Sequence, residues 1–184
     1  RRLSDRHKGY VRNFANYITD LEAMMEQVVL PDCPPPIFAL GHSMGAAVAI
    51  RACRDGSRWF DRVVLSAPMI ALPEGRLTSV AGPLARFMRF LGRGGAYVPT
   101  GDSSVMGTDD FVGNVLTSDP VRYARNAAVL EAEPELGLGA PTVAWVDAAM
   151  RQMNMFAEPA YSSSIRQPIL MVAAGRDEVV STPA

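Results

Sequence analysis

Five residues, Gly41-His42-Ser43-Met44-Gly45, set a serine between two glycines, each two positions away. An apolar run, Ile37-Phe38-Ala39-Leu40, enters this segment, and an alanine-rich stretch from Ala46 to about Arg54 leaves it. A nucleophilic serine needs this setting. A strand that turns sharply into a helix lifts the hydroxyl clear of the sheet, and the strained turn calls for residues without side chains at its flanks. The Met44 backbone N–H, at the start of the new helix, would point to where negative oxygen develops when the serine attacks a carbonyl. The chemistry is acyl transfer, with Ser43 as nucleophile, Met44 N–H as oxyanion donor, and Gly41, His42 and Gly45 shaping the turn. A strand–turn–helix connection without chemistry is the competing reading.

A serine nucleophile needs a base, and the base needs an orienting carboxylate. Asp177, in Ala174-Gly175-Arg176-Asp177-Glu178, directly follows another apolar run, so its carboxylate is expected at the same sheet edge as Ser43. Its alternative role is to cap the turn after that strand. Glu178 should point elsewhere. The base is harder to find, because the chain has two histidines. His42 adjoins the nucleophile and faces away from a base's position, which leaves it packing or hydrogen bonding beside the turn. His7, in Asp5-Arg6-His7-Lys8, reads as a solvated loop residue, and the order His, Ser, Asp is wrong for this turn. No histidine follows Asp177. The base is therefore expected beyond residue 184. The second oxyanion donor is expected upstream of Arg1, because no strand precedes the helix at Tyr10. These expectations describe an internal fragment that lacks triad catalysis of its own. The chemistry calls for no metal and no organic cofactor.

The elements that must position these groups can be read from periodicity. Tyr10, Phe14, Tyr17, Ile18, Leu21, Met24, Met25, Val28 and Val29 form one face of a helix from Tyr10 to Leu30. Pro34-Pro35-Pro36 must end it. Ile37–Leu40, Arg62–Ala67 and Pro168–Ala174 read as short buried strands, and such strands joined through helices predict a parallel α/β sheet. Between the last two strands the chain is rich in helix and turn signals. Leu84, Phe87, Met88 and Leu91 form a stripe broken by Gly92, Gly94 and Gly95. Asp119-Pro120 predicts an N-cap and first helical position for a helix to about Glu131, and Pro141 opens another to about Met155. The expected organisation is core over 1–68, a helical cap over 69–167, and a return to the core over 168–184.

Composition limits the remaining classes. The 184 residues are 48% hydrophobic and 20% charged with a net charge of −1, which excludes a disordered chain and a nucleic-acid footprint. Cys33 and Cys53 are too few for a disulfide scaffold and read as buried small hydrophobes. No apolar stretch is long enough to span a membrane. Leu84, Phe87, Met88, Phe90, Leu91, Met150, Met153, Met155 and Phe156 read first as helix–helix core and second as an acyl-channel lining. Arg86, Arg89 and Arg93 share the helix of the first stripe. They read as a solvated face, with transient contact to an anionic membrane surface as the alternative.

The chain resembles the α/β-hydrolase superfamily, and within it the bacterial lysophospholipase and monoacylglycerol lipase group. The resemblance rests on Leu3-Ser4-Asp5-Arg6, the helix around Tyr17 to Met25, the Ser43 turn, and Val64-Leu65-Ser66-Ala67-Pro68. It also rests on Leu116-Thr117-Ser118-Asp119-Pro120 with Arg122-Tyr123, Gly139-Ala140-Pro141-Thr142 with Trp145, and Ala174-Gly175-Arg176-Asp177. It implies Ser43 as nucleophile, Asp177 as triad acid, Met44 N–H as oxyanion donor, and a helical cap over an acyl pocket. Ala46 departs from the group, which usually has a second glycine there. The implied function is hydrolysis of a lysophospholipid or monoacylglycerol ester. The expected location is the cytoplasm, with a peripheral membrane position as the alternative and room for a targeting segment upstream. Another esterase or peptidase of the same fold, or a non-catalytic binding module, remains the alternative.

Overall fold

The computed structural model describes residues 5–55, 58–99, 101–105, 107 and 110–183, with the helix backbone alone at 76–78. Leu3, Ser4 and Ala184 lie outside the described residues. Contacts divide the chain into two compact units, one of residues 1–12 with 79–148 and one of 13–78 with 149–184.

The second unit carries a parallel sheet of β1 (Phe38–His42), β2 (Arg62–Ser66) and β3 (Ile169–Val172), in the order β1-β2-β3. Phe38 lies beside Arg62, and His42, Ser66 and Val172 lie level across the sheet. The turns that follow the three strands therefore share one edge. Helix α3 (Met44–Arg54) packs on the face bearing Ala39, Gly41, Val63 and Leu65. Its inward residues Ala46, Ala47, Ala49 and Ala52 are small, so the helix can approach closely. Val63, Leu65, Ile50, Phe60, Ile18 and Tyr161 fill the core around it, and each large apolar side chain buried here contributes about 1.5–3 kcal/mol.

The other face departs from expectation. The strands were to be buried, yet Phe38 is 62% and Leu40 78% exposed, and Leu170 and Val172 also face solvent. Strand alternation sets these four on the side away from α3. Nothing among the described residues buries that side, so within them these runs are covered on one face only.

The first helix also differs. It starts at Ala15, where Asn13 Oδ1 accepts the Ala15 N–H at 3.0 Å, rather than at Tyr10. α1 (Ala15–Met24) continues as a π-helical segment, Met25–Val29, and ends in the short α2 (Leu30–Asp32), just before the prolines. Phe14, Ile18 and Met25 are buried as the stripe predicts, but Met24 and Val28 are exposed. The wider π turn rotates the chain, so that Val29 packs against the core as the stripe predicts while Val28 turns outward. α7 (Pro159–Ser163) closes the unit, its Tyr161 ring under the Arg54 guanidinium at 4.2 Å.

The first unit is helical. The division falls inside α4 (Arg76–Phe90) and α6 (Val143–Phe156), and α5 (Pro120–Ala132) lies wholly within it. Asp119 caps α5 by accepting from Val121 and Arg122 N–H, with Pro120 at the first helical position, as the sequence predicts. Thr142 Oγ1 donates to the Gly9 carbonyl at 2.7 Å, and Tyr97 bridges to Thr142. Two expectations fail here. Leu84, Phe87 and Leu91 do not form helix–helix core, since all three are exposed, as are Val80 and Phe90. Arg86 and Arg89 are not simply a solvated face. Both reach Asp147, whose side chain is only 3% exposed, at 3.8 and 3.1 Å. A buried carboxylate needs such partners, and a helix two segments away supplies it. No helix among the described residues is long and apolar enough to cross a membrane.

Candidate active site

Ser43 sits between β1 and α3 with φ +49° and ψ −117°, a conformation that non-glycine residues rarely adopt. Holding it costs on the order of 1–3 kcal/mol, so its neighbours must enforce it. Three hydrogen bonds do so. Ser43 N–H donates to the Ser66 carbonyl at 3.1 Å, while the Ser43 carbonyl accepts from Ala47 N–H at 3.2 Å and Met69 N–H at 3.1 Å. The glycines divide unequally. A Cβ on Gly41 would lie 2.7 Å from Ala46 Cα and 3.0 Å from Ala46 N, so no side chain fits. A Cβ on Gly45 would meet nothing within 4 Å, which corrects the expectation that both glycines prevent a collision. Ala46, the departure noted above, is fully buried and forms the wall against Gly41.

Met44 opens α3, and its N–H has no hydrogen-bond partner among the described residues. The first amides of a helix lack intrahelical acceptors, and the helix dipole favours negative charge beside them. His42 is exposed, and its Nδ1 lies 3.1 Å from the Ser66 carbonyl, on the neighbouring strand. His7 belongs to the other unit, where its carbonyl accepts from Gly139 N–H at 2.9 Å.

Asp177 lies in the turn after β3, at the same sheet edge as Ser43. Its Oδ1 accepts the N–H groups of Val179 and Val180, both at 2.8 Å. That is the turn-capping arrangement, and it engages one oxygen only. Asp177 borders a small cavity of about 20 Å³ with Ala67, Pro68, Ala174 and Thr182. The segment after β2 links the two residues. Ala67 N–H donates to the Val172 carbonyl at 2.8 Å, Met69 N–H reaches Ser43, and Ser181 N–H donates to the Ala71 carbonyl at 2.9 Å. The ends of β1 and β3 are two strand spacings apart, about 10 Å.

Ala67 is the part of this edge that sequence reasoning missed. Its φ is +42°, a second left-handed non-glycine residue beside Ser43. Glycine or asparagine would have signalled such a turn, and alanine gives no signal.

Comparison with known proteins gives a consistent picture. The family model described as Serine aminopeptidase, S33 matches residues 3–184. Lysophospholipase L2 of Escherichia coli (strain K12) is 32% identical over 150 residues, covering 79% of this chain and 43% of that protein. Probable lysophospholipase L2 of Haemophilus influenzae is 25% identical over 175 residues, covering 94% and 54%. The chain thus spans about half the length of the curated relatives it matches. Among solved structures, a soluble variant of monoglyceride lipase from Saccharomyces cerevisiae in complex with a substrate analog superposes with a TM-score of 0.69. The identity is 19%, with 96% of this chain and 56% of that one covered. The monoacylglycerol lipase of Paleococcus ferrophilus gives 0.65 at 16% identity, with 93% and 58% covered. At such identities the likeness is one of fold.

Proposed function

Because the chain belongs to the Serine aminopeptidase, S33 family and carries the α/β-hydrolase fold, we propose that Ser43 is the nucleophile of a serine hydrolase. Its substrate is the carboxylic ester of a single-acyl-chain lipid, a lysophospholipid or a monoacylglycerol. The observation that carries this reading is the Ser43 turn. A serine is held at φ +49° by three backbone hydrogen bonds, at a helix start whose first N–H has no partner among the described residues. The names of the relatives support the lipid substrate.

In this reading Ser43 Oγ attacks the ester carbonyl and gives its proton to a histidine base. His42 Nδ1 lies 3.1 Å from the Ser66 carbonyl and no histidine follows Asp177 in the order Ser, acid, His, so this reading takes the base from outside these residues. Asp177 holds the imidazolium through Oδ2 while Oδ1 stays tied to the turn. Met44 N–H stabilises the oxyanion. The protonated alcohol leaves, and water then attacks the acyl-enzyme to release a fatty acid. Residues 69–167 act as the cap over the acyl pocket. The exposed apolar side of α4 makes transient contact with a membrane surface from the cytoplasm.

The test is hydrolysis of lysophosphatidylcholine and monoacylglycerol by the full-length protein. Wild type is expected to show a burst with p-nitrophenyl acyl esters, and Ser43→Ala to lose at least about 10³-fold in kcat. Residues 1–184 alone are expected to show no burst. Retained turnover in Ser43→Ala would refute the nucleophile. A preference for peptides or short acyl chains would refute the lipid substrate.

A further inference from the structure

A second concave site lies in the helical unit, built from groups to which the hydrolase reading gives no role. A cleft of about 340 Å³ is lined by Tyr10, Arg12, Arg89, Gly92, Gly94 and Gly95. No acidic side chain lines it among the described residues. Two arginines 77 positions apart in sequence meet here, with Arg89 Nη1 donating to the Arg12 backbone carbonyl at 3.4 Å. Each is fixed by a further contact. Arg12 Nε donates to Tyr10 Oη at 3.1 Å, and Arg89 is held by the buried Asp147 at 3.1 Å. Because Tyr10 Oη accepts from Arg12, its own proton is directed elsewhere.

The glycine turn supplies the second observation. Gly94 is buried and Gly95 half-buried, yet neither N–H has a hydrogen-bond acceptor among the described residues. Neighbouring groups of the turn are bonded. Gly92 N–H reaches Arg89, Arg93 N–H reaches Met88, and the Gly94 carbonyl accepts from Ala144 N–H. An unsatisfied amide in a buried residue is costly and rare. Gly94 and Gly95 line the cleft beside two arginines, and two successive amides without acceptors next to such charges have the composition of an anion-binding concavity. A Cβ on Gly94 would sit in ordinary contact with Ala144 Cβ, Arg89 Cγ and Tyr10 Cε2, at 3.4, 3.5 and 3.9 Å, so the glycine lies directly between these walls.

We propose that this cleft is a phosphate-type anion site, with Arg12 and Arg89 supplying charge, Gly94 and Gly95 supplying N–H donors, and Tyr10 supplying a hydroxyl. The guanidinium fork suits the paired oxygens of a phosphate. The phosphate belongs either to a free phosphomonoester or to a phospholipid headgroup, and the two share this chemistry.

The test titrates the chain with inorganic phosphate at constant ionic strength, following the amide resonances of Gly94 and Gly95 by heteronuclear NMR. Both are expected to shift saturably. Arg12→Gln, a change at an exposed residue, should weaken binding about tenfold, the usual loss for one charged hydrogen bond. Arg89→Lys keeps the charge near Asp147, so it protects folding while it removes the fork, and it should weaken binding as well. Ser43→Ala should leave the titration unchanged, which separates this site from the proposed nucleophile. Glycerol 3-phosphate matching inorganic phosphate assigns a free ligand. Tighter binding to phosphatidylglycerol vesicles than to phosphatidylcholine vesicles, lost in Arg12→Gln, assigns a headgroup. Absence of saturable shifts, or binding that survives both arginine changes in a folded chain, overturns the site.

Discussion

At the scale of single residues, the Ser43 backbone makes a prediction that is independent of catalysis. Glycine adopts φ +49° without the steric cost that serine bears. Ser43→Gly is therefore expected to melt above Ser43→Ala, because relief of about 1–3 kcal/mol of strain outweighs the ~0.5–1 kcal/mol entropic disadvantage of glycine. Equal melting temperatures, measured by circular dichroism, would argue that the turn is relaxed. The two cysteines separate in the same way. Cys33 is exposed, against expectation, because it follows the end of α2 rather than packing under it, whereas Cys53 is buried on α3. Burial pushes the Cys53 thiol above its ordinary pKa, and the thiolate is the reactive form. Native protein should release one equivalent of thionitrobenzoate promptly with DTNB, and a second only on unfolding. Two fast equivalents would contradict this burial. The sharp turn at Ser43 was legible from Gly41 and Ser43, and the turn at Asp177 from its place after an apolar run, because turn chemistry is local. Ala67 was not, because its left-handed turn is imposed by bonds from neighbouring strands.

At the scale of elements, local signals performed well and tertiary ones did not. Asp119-Pro120 marks the start of α5, and the proline run marks the end of α2, since capping and missing donors act within a few residues. Asp119→Ala should cost about 1 kcal/mol, as loss of an N-cap usually does. Chemical denaturation would register it as a lower midpoint with an unchanged slope. An unchanged midpoint would mean that Pro120 alone sets the helix start. The π-helical Met25–Val29 segment gave no such signal, because it comes from packing of Met25 and Val29 into the core and not from any one residue type. The pairing of Arg86 and Arg89 with Asp147 was equally hidden, since it joins two helices far apart in sequence.

At the scale of the whole chain, the parallel sheet was legible and its coverage was not. Apolar runs at Ile37–Leu40 and Pro168–Ala174 announce strands, but a run cannot tell whether both of its faces have neighbours. Phe38, Leu40, Leu170 and Val172 lie together on the open face, all well exposed. This affects how the chain's solution behaviour is read. Dyes such as anilinonaphthalene sulfonate brighten on accessible apolar surface, and that brightening is commonly taken as a mark of a loosened, molten state. Here a fully ordered native chain should bind the dye while keeping its near-ultraviolet circular dichroism. Leu40→Thr with Leu170→Thr should dim the dye and leave that spectrum intact. Dye fluorescence alone would thus misclassify this chain as partly folded, and the near-ultraviolet signal decides the matter.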